Sequence, residues 1–243
     1  MVTRMRADRL LVERGLFASR AQAQAAIAAG RVTADATTVR RPADEIQVDA
    51  DLKATPEHPW VSRGGLKLTA ALDHFGFDPS GRVCLDVGAS TGGFSEVLLA
   101  RGAKRVYAID VGHGQLHARL RDRAALVSLE GTDIRSLSAA QLQEPPDFVV
   151  IDVSFISLTQ VLPAALALVV GRGELVALIK PQFESGRRRL KKGIVRDPSV
   201  HAAVCQRVVA CVDRLGWDVA GLFPSPLGGR DRNREFLLGA RRD

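Results

Sequence analysis

Cysteine is scarce in this chain, and a long apolar segment is missing. The three cysteines, Cys84, Cys205 and Cys211, lack the spacing of metal ligands, so we expect buried thiols in a reducing compartment. The longest apolar stretch covers residues 161–170 and is too short to cross a bilayer. Residues 1–9 are basic and polar with no apolar run behind them, so no signal peptide is predicted. These absences predict a cytoplasmic protein that needs neither a metal nor a membrane.

Basic residues outnumber acidic ones, 34 against 27, and they are unevenly distributed. Residues 1–42 hold eight basic and three acidic side chains, whereas residues 43–57 are acidic apart from Lys53. A second basic block covers residues 187–192 and is either a solvated loop or a second contact surface. Two separate basic patches suit a protein that binds a polyanion such as RNA at two places. The candidate contact residues are Arg4, Arg6, Arg20, Arg31, Arg63, Arg187, Arg188, Arg189, Lys191 and Lys192.

The pattern of apolar residues changes near residue 60. Before this point it predicts two short helices, one around residues 9–12 and one over residues 20–29, followed by a strand that begins in residues 31–34. The prolines in residues 56–59 favour an extended linker. We therefore predict a small α+β domain with its linker over residues 1–58.

After residue 60, apolar strands alternate with helices, which is typical of a parallel sheet covered on both faces. The hydrophobic content of 46% is ample for such a core. The pattern predicts a Rossmann-like α/β domain over residues 59–243, with its site beyond the carboxyl ends of the strands. The predicted strands cover residues 83–87, 106–110, 148–153, 175–180, 217–223 and 235–239, and the predicted helices cover residues 93–101, 158–169 and 200–215.

A glycine-containing loop follows the first of these strands and leads into a helix, which is where doubly wound sheets bind nucleotides. Its spacing, G-x-x-x-G-G, is not the dinucleotide fingerprint, and no G-K-[ST] phosphate loop is present, which disfavours NAD and ATP. Asp110 ends the next strand, where a carboxylate can accept both ribose hydroxyls of an adenosine, and Asp133 is placed to contact the adenine edge. With Asp86, these residues predict three carboxylates at successive strand ends. S-adenosylmethionine is therefore the favoured cofactor, with the candidate binding residues Asp86, Gly88, Ala89, Ser90, Gly92, Gly93, Phe94, Asp110, Asp133 and Asp152.

Two charged residues stand at the ends of strands that the pattern predicts to be buried. Asp152 interrupts one apolar run, and Lys180 ends another just before Pro181. Burying either charge alone costs several kcal/mol, so each needs a partner, and a mutual salt bridge is the simplest structural explanation. Lys67 and Glu235 are further charged residues in otherwise apolar elements.

Two lysines and two carboxylates suit methyl transfer to a hydroxyl, which is a weak acid. A lysine in water has a pKa of about 10.4, and burial and a second cation lower it toward the range of a base. Other methylation chemistries fit less well. No Asn-Pro-Pro or Asp-Pro-Pro motif follows the fourth strand to bind an amino group, and no Pro-Cys dipeptide offers a nucleophile for a pyrimidine ring.

Six segments of the chain resemble the haemolysin A (TlyA) family of ribosomal RNA 2′-O-methyltransferases, which join an S-four-type RNA-binding domain to an FtsJ-like methyltransferase domain. The resemblance covers essentially the whole chain, and it implies a catalytic Lys-Asp-Lys-Glu tetrad at Lys67, Asp152, Lys180 and Glu235. The family commonly has asparagine at the position of Asp133 and glycine at that of Arg232. The six segments are residues 61–68, 86–94, 110–116, 151–158, 180–184 and 233–236.

The resemblance implies 2′-O-methylation of a cytidine, with ribosomal RNA or ribosomal subunits as the partner. Two other hypotheses are a haemolysin-like membrane-active protein, which the family name suggests, and an RNA-binding protein with an inactive methyltransferase domain. The first needs an amphipathic or apolar membrane element, which we do not find in the sequence. The intact tetrad argues against the second.

Overall fold

The computed structural model of the chain describes residues 3–17, 19–55, 58–186, 193–229 and 233–243. The described residues form two compact units, one up to Pro59 and one from Trp60 onward. Part of the predicted linker, residues 56 and 57, lies outside the described residues, as do Arg232 and the whole basic block, with Arg187, Arg188, Arg189, Lys191 and Lys192.

The small unit contains two helices and two small antiparallel sheets. Helices α1 and α2 confirm the two predicted helices, and Leu11 of α1 packs with Ile27 of α2 and Val32 of β2 in a common core. Strand β1 pairs with β4, and β2 lies between β3 and β5. The elements are β1 (Arg4–Arg6), α1 (Ala7–Glu13), α2 (Arg20–Ala28), β2 (Val32–Ala34), β3 (Thr37–Thr38), β4 (Glu45–Gln47) and β5 (Leu52–Ala54).

The large unit is built on a seven-stranded sheet with the order β11-β12-β10-β9-β6-β7-β8. Its strands are β6 (Val83–Val87), β7 (Arg105–Asp110), β8 (Leu126–Glu130), β9 (Phe148–Ile151), β10 (Gly173–Ile179), β11 (Asp218–Pro224) and β12 (Phe236–Arg242). Neighbours from β10 to β8 are parallel, as predicted, whereas β12 runs antiparallel to both β10 and β11. The expected parallel arrangement therefore holds for five strands of the sheet and not for β12. Only eleven residues separate Pro224 from Phe236, which is shorter than the crossover that a parallel return requires.

Helices cover both faces of this sheet. Alternate residues of β6 show the arrangement, because Val83, Leu85 and Val87 pack in the cluster of α6 and α8, whereas Cys84 packs in the cluster of α3 and α4. No helix in the described ranges is long and apolar enough to cross a membrane. The helices are α3 (Gly64–Phe75), α4 (Gly93–Ala100), α5 (Ala118–Arg121), α6 (Leu158–Ala167), α7 (Pro181–Glu184) and α8 (Pro198–Arg214).

Helix α3 has no counterpart among the predicted elements, because the two glycines at its start disfavour a helix. Burial of Leu68 and Leu72 against the sheet outweighs this preference. Gly65 is needed because a Cβ atom at this position would lie 2.4 Å from Cγ of Trp60. The helix places Lys67 among buried residues.

Candidate active site

A cleft of about 760 Å³ lies beyond the carboxyl ends of β6, β7 and β9, a size typical of small-molecule sites. Five of the predicted cofactor residues line it, namely Gly88, Ser90, Asp110, Asp133 and Asp152. Apolar side chains from the ends of the same strands, Val87, Ile109, Val111 and Val153, form part of the remaining wall, and Ile134 joins them from the turn that follows β8. Among the residues that the structure describes, no group of three or more histidine, cysteine or carboxylate side chains is arranged to hold a metal ion.

The loop between β6 and α4 is pressed against the end of β9. Gly88 has a φ of +85°, and a Cβ atom there would lie 2.6 Å from the carbonyl oxygen of Asp152. Glycine is therefore required at this turn, both for its backbone angle and for the close approach. The backbone N–H of Ser90 donates to Oδ2 of Asp110 at 2.7 Å, and the Ser90 hydroxyl donates to Oε1 of Gln115 at 3.0 Å. These bonds hold the glycine loop to the end of β7.

Two carboxylates fix the loop that follows β7. Asp110 accepts a second bond, from the backbone N–H of Gly112 at 2.7 Å. Glu130, at the end of β8, accepts from the backbone N–H groups of residues 114–116 at 2.9, 2.7 and 3.0 Å. These bonds, with that from Leu116 contributing most, hold the pKa of Glu130 below its ordinary value. The backbone beside Asp110 is thus held in one conformation.

Asp133 caps the short 3₁₀ turn Ile134–Ser136 and forms a bidentate ion pair with Arg135. The shortest contact, from Nη2 of Arg135 to Oδ2 of Asp133, is 2.6 Å, and the bonds from Arg135 hold the pKa of Asp133 below its usual range. Both side chains are partly exposed and line the cleft. The adenine contact expected of Asp133 stays a prediction, and Arg135 is a neighbour that the sequence analysis did not identify.

Asp86 lies within β6, one residue before the end of the strand, and is not among the residues that line the cleft. Its carboxylate is fully buried and accepts from the hydroxyl of Ser95 in α4 at 2.6 Å. The other oxygen has no hydrogen-bond partner among the described residues. Burial raises the pKa of Asp86 to about 7. The expectation of a strand-end carboxylate is wrong here, because the alternation of side chains along β6 turns Asp86 toward α4.

The neighbouring strands β9 and β10 each have a charged residue directly after their last residue. Nζ of Lys180 lies 2.6 Å from Oδ1 of Asp152 and donates to Oγ of Ser154 at 2.9 Å. The side chains of Lys180 and Asp152 are only 11% and 20% exposed. The mutual salt bridge that the sequence suggested is therefore present, and it lies at the edge of the cleft, because Asp152 and Ser154 line it.

A second ion pair joins α3 to the residue before β12. Nζ of Lys67 donates to Oε2 of Glu235 at 2.5 Å, and both side chains are buried. Burial raises the pKa of Glu235 above its ordinary value, and Lys67 opposes this rise.

The strand register brings the two ion pairs into one cluster. Ile179 of β10 pairs with Phe236 of β12, so the next residues outward, Lys180 and Glu235, stand at the same end of the strand pair. Lys180 and Asp152 both act electrostatically on Glu235. The four residues of the predicted tetrad are thus assembled from α3, β9, β10 and β12.

The other predicted cofactor residues lie in the glycine loop or at the start of α4 and do not line the cleft. Ala89 and Phe94 are buried in the core, and Gly92, with a φ of +91°, leads into α4. A Cβ atom at Gly93 would lie 2.1 Å from Oγ of Ser62, so this glycine permits close packing. The sequence analysis missed several cleft residues in loops and short helical turns, where apolar periodicity gives no signal, although four of them fall in the motifs at residues 110–116, 151–158 and 180–184. They are Gln115, Arg135, Ser154, Phe155 and Phe183.

The predicted RNA contacts that the structure describes are all exposed arginines. Arg4, Arg6, Arg20 and Arg31 belong to the small unit, and Arg63 lies at the start of α3 in the large unit. Arg6 and Arg20 both bond the buried carboxylate of Asp8.

Two family profiles match the chain. The profile described as FtsJ-like methyltransferase matches residues 60–242, and that of the S4 domain matches residues 5–52. The 16S/23S rRNA (cytidine-2′-O)-methyltransferase TlyA of Mycobacterium tuberculosis is 43% identical over 244 residues, which cover 99% of this chain and 91% of that relative.

Solved structures show the same likeness. A candidate hemolysin from Streptococcus thermophilus has a TM-score of 0.78 and 40% identity, and the match covers 100% of this chain and 90% of the hemolysin chain. The N-methyltransferase NodS from Bradyrhizobium japonicum, in complex with S-adenosyl-L-homocysteine, has a TM-score of 0.53 and 17% identity. The match covers 76% of this chain and 89% of the NodS chain, and it shows a likeness of fold alone. The chain therefore belongs to the FtsJ-like methyltransferase family, within its haemolysin A (TlyA) group of enzymes that carry an N-terminal S4 domain.

Proposed function

We propose that the protein transfers a methyl group from S-adenosylmethionine to the 2′-hydroxyl of a cytidine in ribosomal RNA. The observation that carries this proposal is the joining of two buried lysine–carboxylate pairs into one cluster beside the cleft. The activity named for the M. tuberculosis relative supplies the substrate class.

The cleft fits S-adenosylmethionine. Gly88 brings the backbone of the glycine loop to the wall of the cleft, Asp110 offers carboxylate oxygens to ribose hydroxyls, and Ile109 and Ile134 offer apolar surface to an adenine ring. When bound, the cofactor supplies an electrophilic methyl group. We assign its contacts to Gly88, Ser90, Asp110, Asp133 and Asp152, with Asp86, Ala89, Gly92, Gly93 and Phe94 shaping the loop behind them.

Lys180 is the group that we assign to the target hydroxyl. The ammonium of Lys180 is ion-paired with Asp152 at 2.6 Å and donates one hydrogen bond to Ser154, and these two contacts fix its position at the edge of the cleft. In this position Lys180 either stabilises, as an ammonium, negative charge on the attacking oxygen, or accepts the proton of that oxygen as a neutral amine. Lys67 adds a second cation to the cluster, and Glu235 offsets its charge and fixes its position.

We assign recognition of the RNA backbone to arginines of the small unit, Arg4, Arg6, Arg20 and Arg31, together with Arg63. Guanidinium groups bind phosphates through paired N–H donors. The basic block at residues 187–192 is included on its sequence alone.

The test is transfer of labelled methyl from S-adenosylmethionine to bacterial ribosomal RNA, supplied as deproteinised RNA and as intact subunits. We expect label on RNA with the wild-type chain and little with Lys180→Ala, which serves as the matched control. Absence of label in every substrate with the wild-type chain would contradict the proposal.

A further inference from the structure

Asp8 is a fully buried carboxylate that lies where three elements of the small unit meet. It accepts from Nε and Nη2 of Arg6 at 3.1 and 3.2 Å, and from Nε and Nη2 of Arg20 at 3.2 and 2.6 Å. Nε2 of Gln24 donates to it at 2.8 Å. The bonds from Arg6, supported by Arg20 and Gln24, hold the pKa of Asp8 below its usual range. Five N–H contacts from Arg6, Arg20 and Gln24 therefore converge on the carboxylate of Asp8 and favour its charged form.

The two guanidinium groups held by Asp8 also reach solvent. The side chains of Arg6 and Arg20 are 44% and 54% exposed, although their partner is 0% exposed. Each guanidinium has five N–H groups, and Asp8 accepts from only two nitrogen atoms of each. Because both arginines bind one anion, two like charges stand side by side with defined orientations.

We propose that Asp8 is a positioning residue that holds Arg6 and Arg20 as a two-pronged grip for a phosphate group of RNA. A grip of this kind gains affinity by preorganisation, since the side chains lose their freedom before the RNA arrives. Paired guanidinium groups also match the several oxygens of one phosphate. The proposal rests on the proposed function, because it takes RNA as the ligand of the small unit.

The sign of one effect separates positioning from simple electrostatics. Asp8→Asn removes a negative charge beside two arginines, so a site that attracted RNA by charge alone would bind it more tightly. If Asp8 positions the arginines, the same change weakens binding despite the extra positive charge. Asp44→Asn is the matched control, because it removes a carboxylate paired with Arg41 in the same unit, where the Arg41 side chain is 83% exposed.

The experiment measures binding of the full chain to deproteinised bacterial ribosomal RNA over a series of salt concentrations, together with kcat and KM for methyl transfer. Asp8→Asn should weaken binding and raise KM by about tenfold, with kcat at saturating RNA little changed. Asp44→Asn should leave affinity the same or slightly higher. Unchanged or tighter binding by Asp8→Asn, or an equal loss in both variants, overturns the proposal.

Arg20→Lys provides a second test that does not alter the buried carboxylate. It keeps the charge but cannot form the forked contact, so we expect affinity to fall while the melting temperature stays close to that of the wild type. Wild-type affinity in this variant overturns the proposal even if Asp8→Asn fails to fold. Failure of the wild-type chain itself to bind RNA would instead refute the proposed function.

Discussion

Lys180 is the residue on which the proposed chemistry depends. Lys180→Ala should lower single-turnover methyl transfer by roughly 10²-fold or more, the loss expected for an acid–base group, yet retain cofactor and RNA. Lys180→Arg should fail as well, because a guanidinium does not give up its proton and does not fit the place of an ammonium between Asp152 and Ser154. The measurement is the single-turnover rate of each variant across a pH series. Near-normal rates in Lys180→Ala would exclude the mechanism, and a flat pH profile in the wild type would favour the role of charge stabiliser over that of base.

Asp86 gives the residue-scale prediction for pH dependence. Burial raises its pKa in the folded chain from 3.8 to about 7, so between these values the folded state binds more protons than the unfolded state. Stability should therefore fall as pH rises through this window, by roughly 1.4 kcal/mol for each pH unit. Asp86→Asn keeps an acceptor for Ser95 and removes the titration. The measurement is the free energy of unfolding by urea at pH 5 and pH 8 for both proteins. The variant should gain stability relative to the wild type at pH 8. If the difference in free energy between the two proteins is the same at both pH values, this account is wrong.

The residues of the tetrad could be identified from the sequence because charge is costly in a buried element. Asp152 and Lys180 break apolar runs, and the structure places each directly after its strand. Asp86 also lies in an apolar strand, but its carboxyl group faces Ser95 of α4 rather than the cleft, and burial raises its pKa. A charged residue in an apolar run therefore indicates a constrained position, and only the strand register tells whether it faces the cleft.

At the scale of elements, the loop between β7 and α5 should control cofactor binding. Asp110→Ala removes a predicted ribose contact and also frees the N–H groups of Ser90 and Gly112, so we expect weaker binding by about 1–3 kcal/mol. Glu130→Gln should weaken binding less, because it loosens the loop without altering a contact. Calorimetry with S-adenosylmethionine measures both effects. Unchanged affinity in Asp110→Ala would remove this residue from the site.

Long elements followed from the sequence, whereas short or context-dependent ones did not. Strands β6 to β10 other than β8 were predicted from buried apolar runs, and α8 was predicted nearly to its ends. Helix α3 was missed because packing around Gly65 overrides its local preference. Of the short strands of the small unit, β2 was predicted at residues 31–34, whereas the others, like the direction of β12, depend on pairing between distant segments, which periodicity does not report.

At the scale of the whole molecule, we expect the large unit to bind the cofactor and the small unit to recognise the RNA. The hydrophobic clusters of the large unit contain only residues from position 60 onward, and those of the small unit only residues up to position 54. Removing residues 1–58 should therefore leave S-adenosylmethionine binding intact and abolish productive RNA recognition. Normal modification of ribosomal RNA by the truncated chain would show that the S4 domain is not needed for recognition.

The central claim is that the transferred methyl group ends on a ribose oxygen. Ribosomal RNA treated with the wild-type chain and S-adenosylmethionine can be digested to nucleosides and analysed by mass spectrometry, with Lys180→Ala as the control reaction. The account predicts 2′-O-methylcytidine in the wild-type reaction alone. A methyl group on a nucleobase, or an equal yield of methylated ribose from Lys180→Ala, would contradict it.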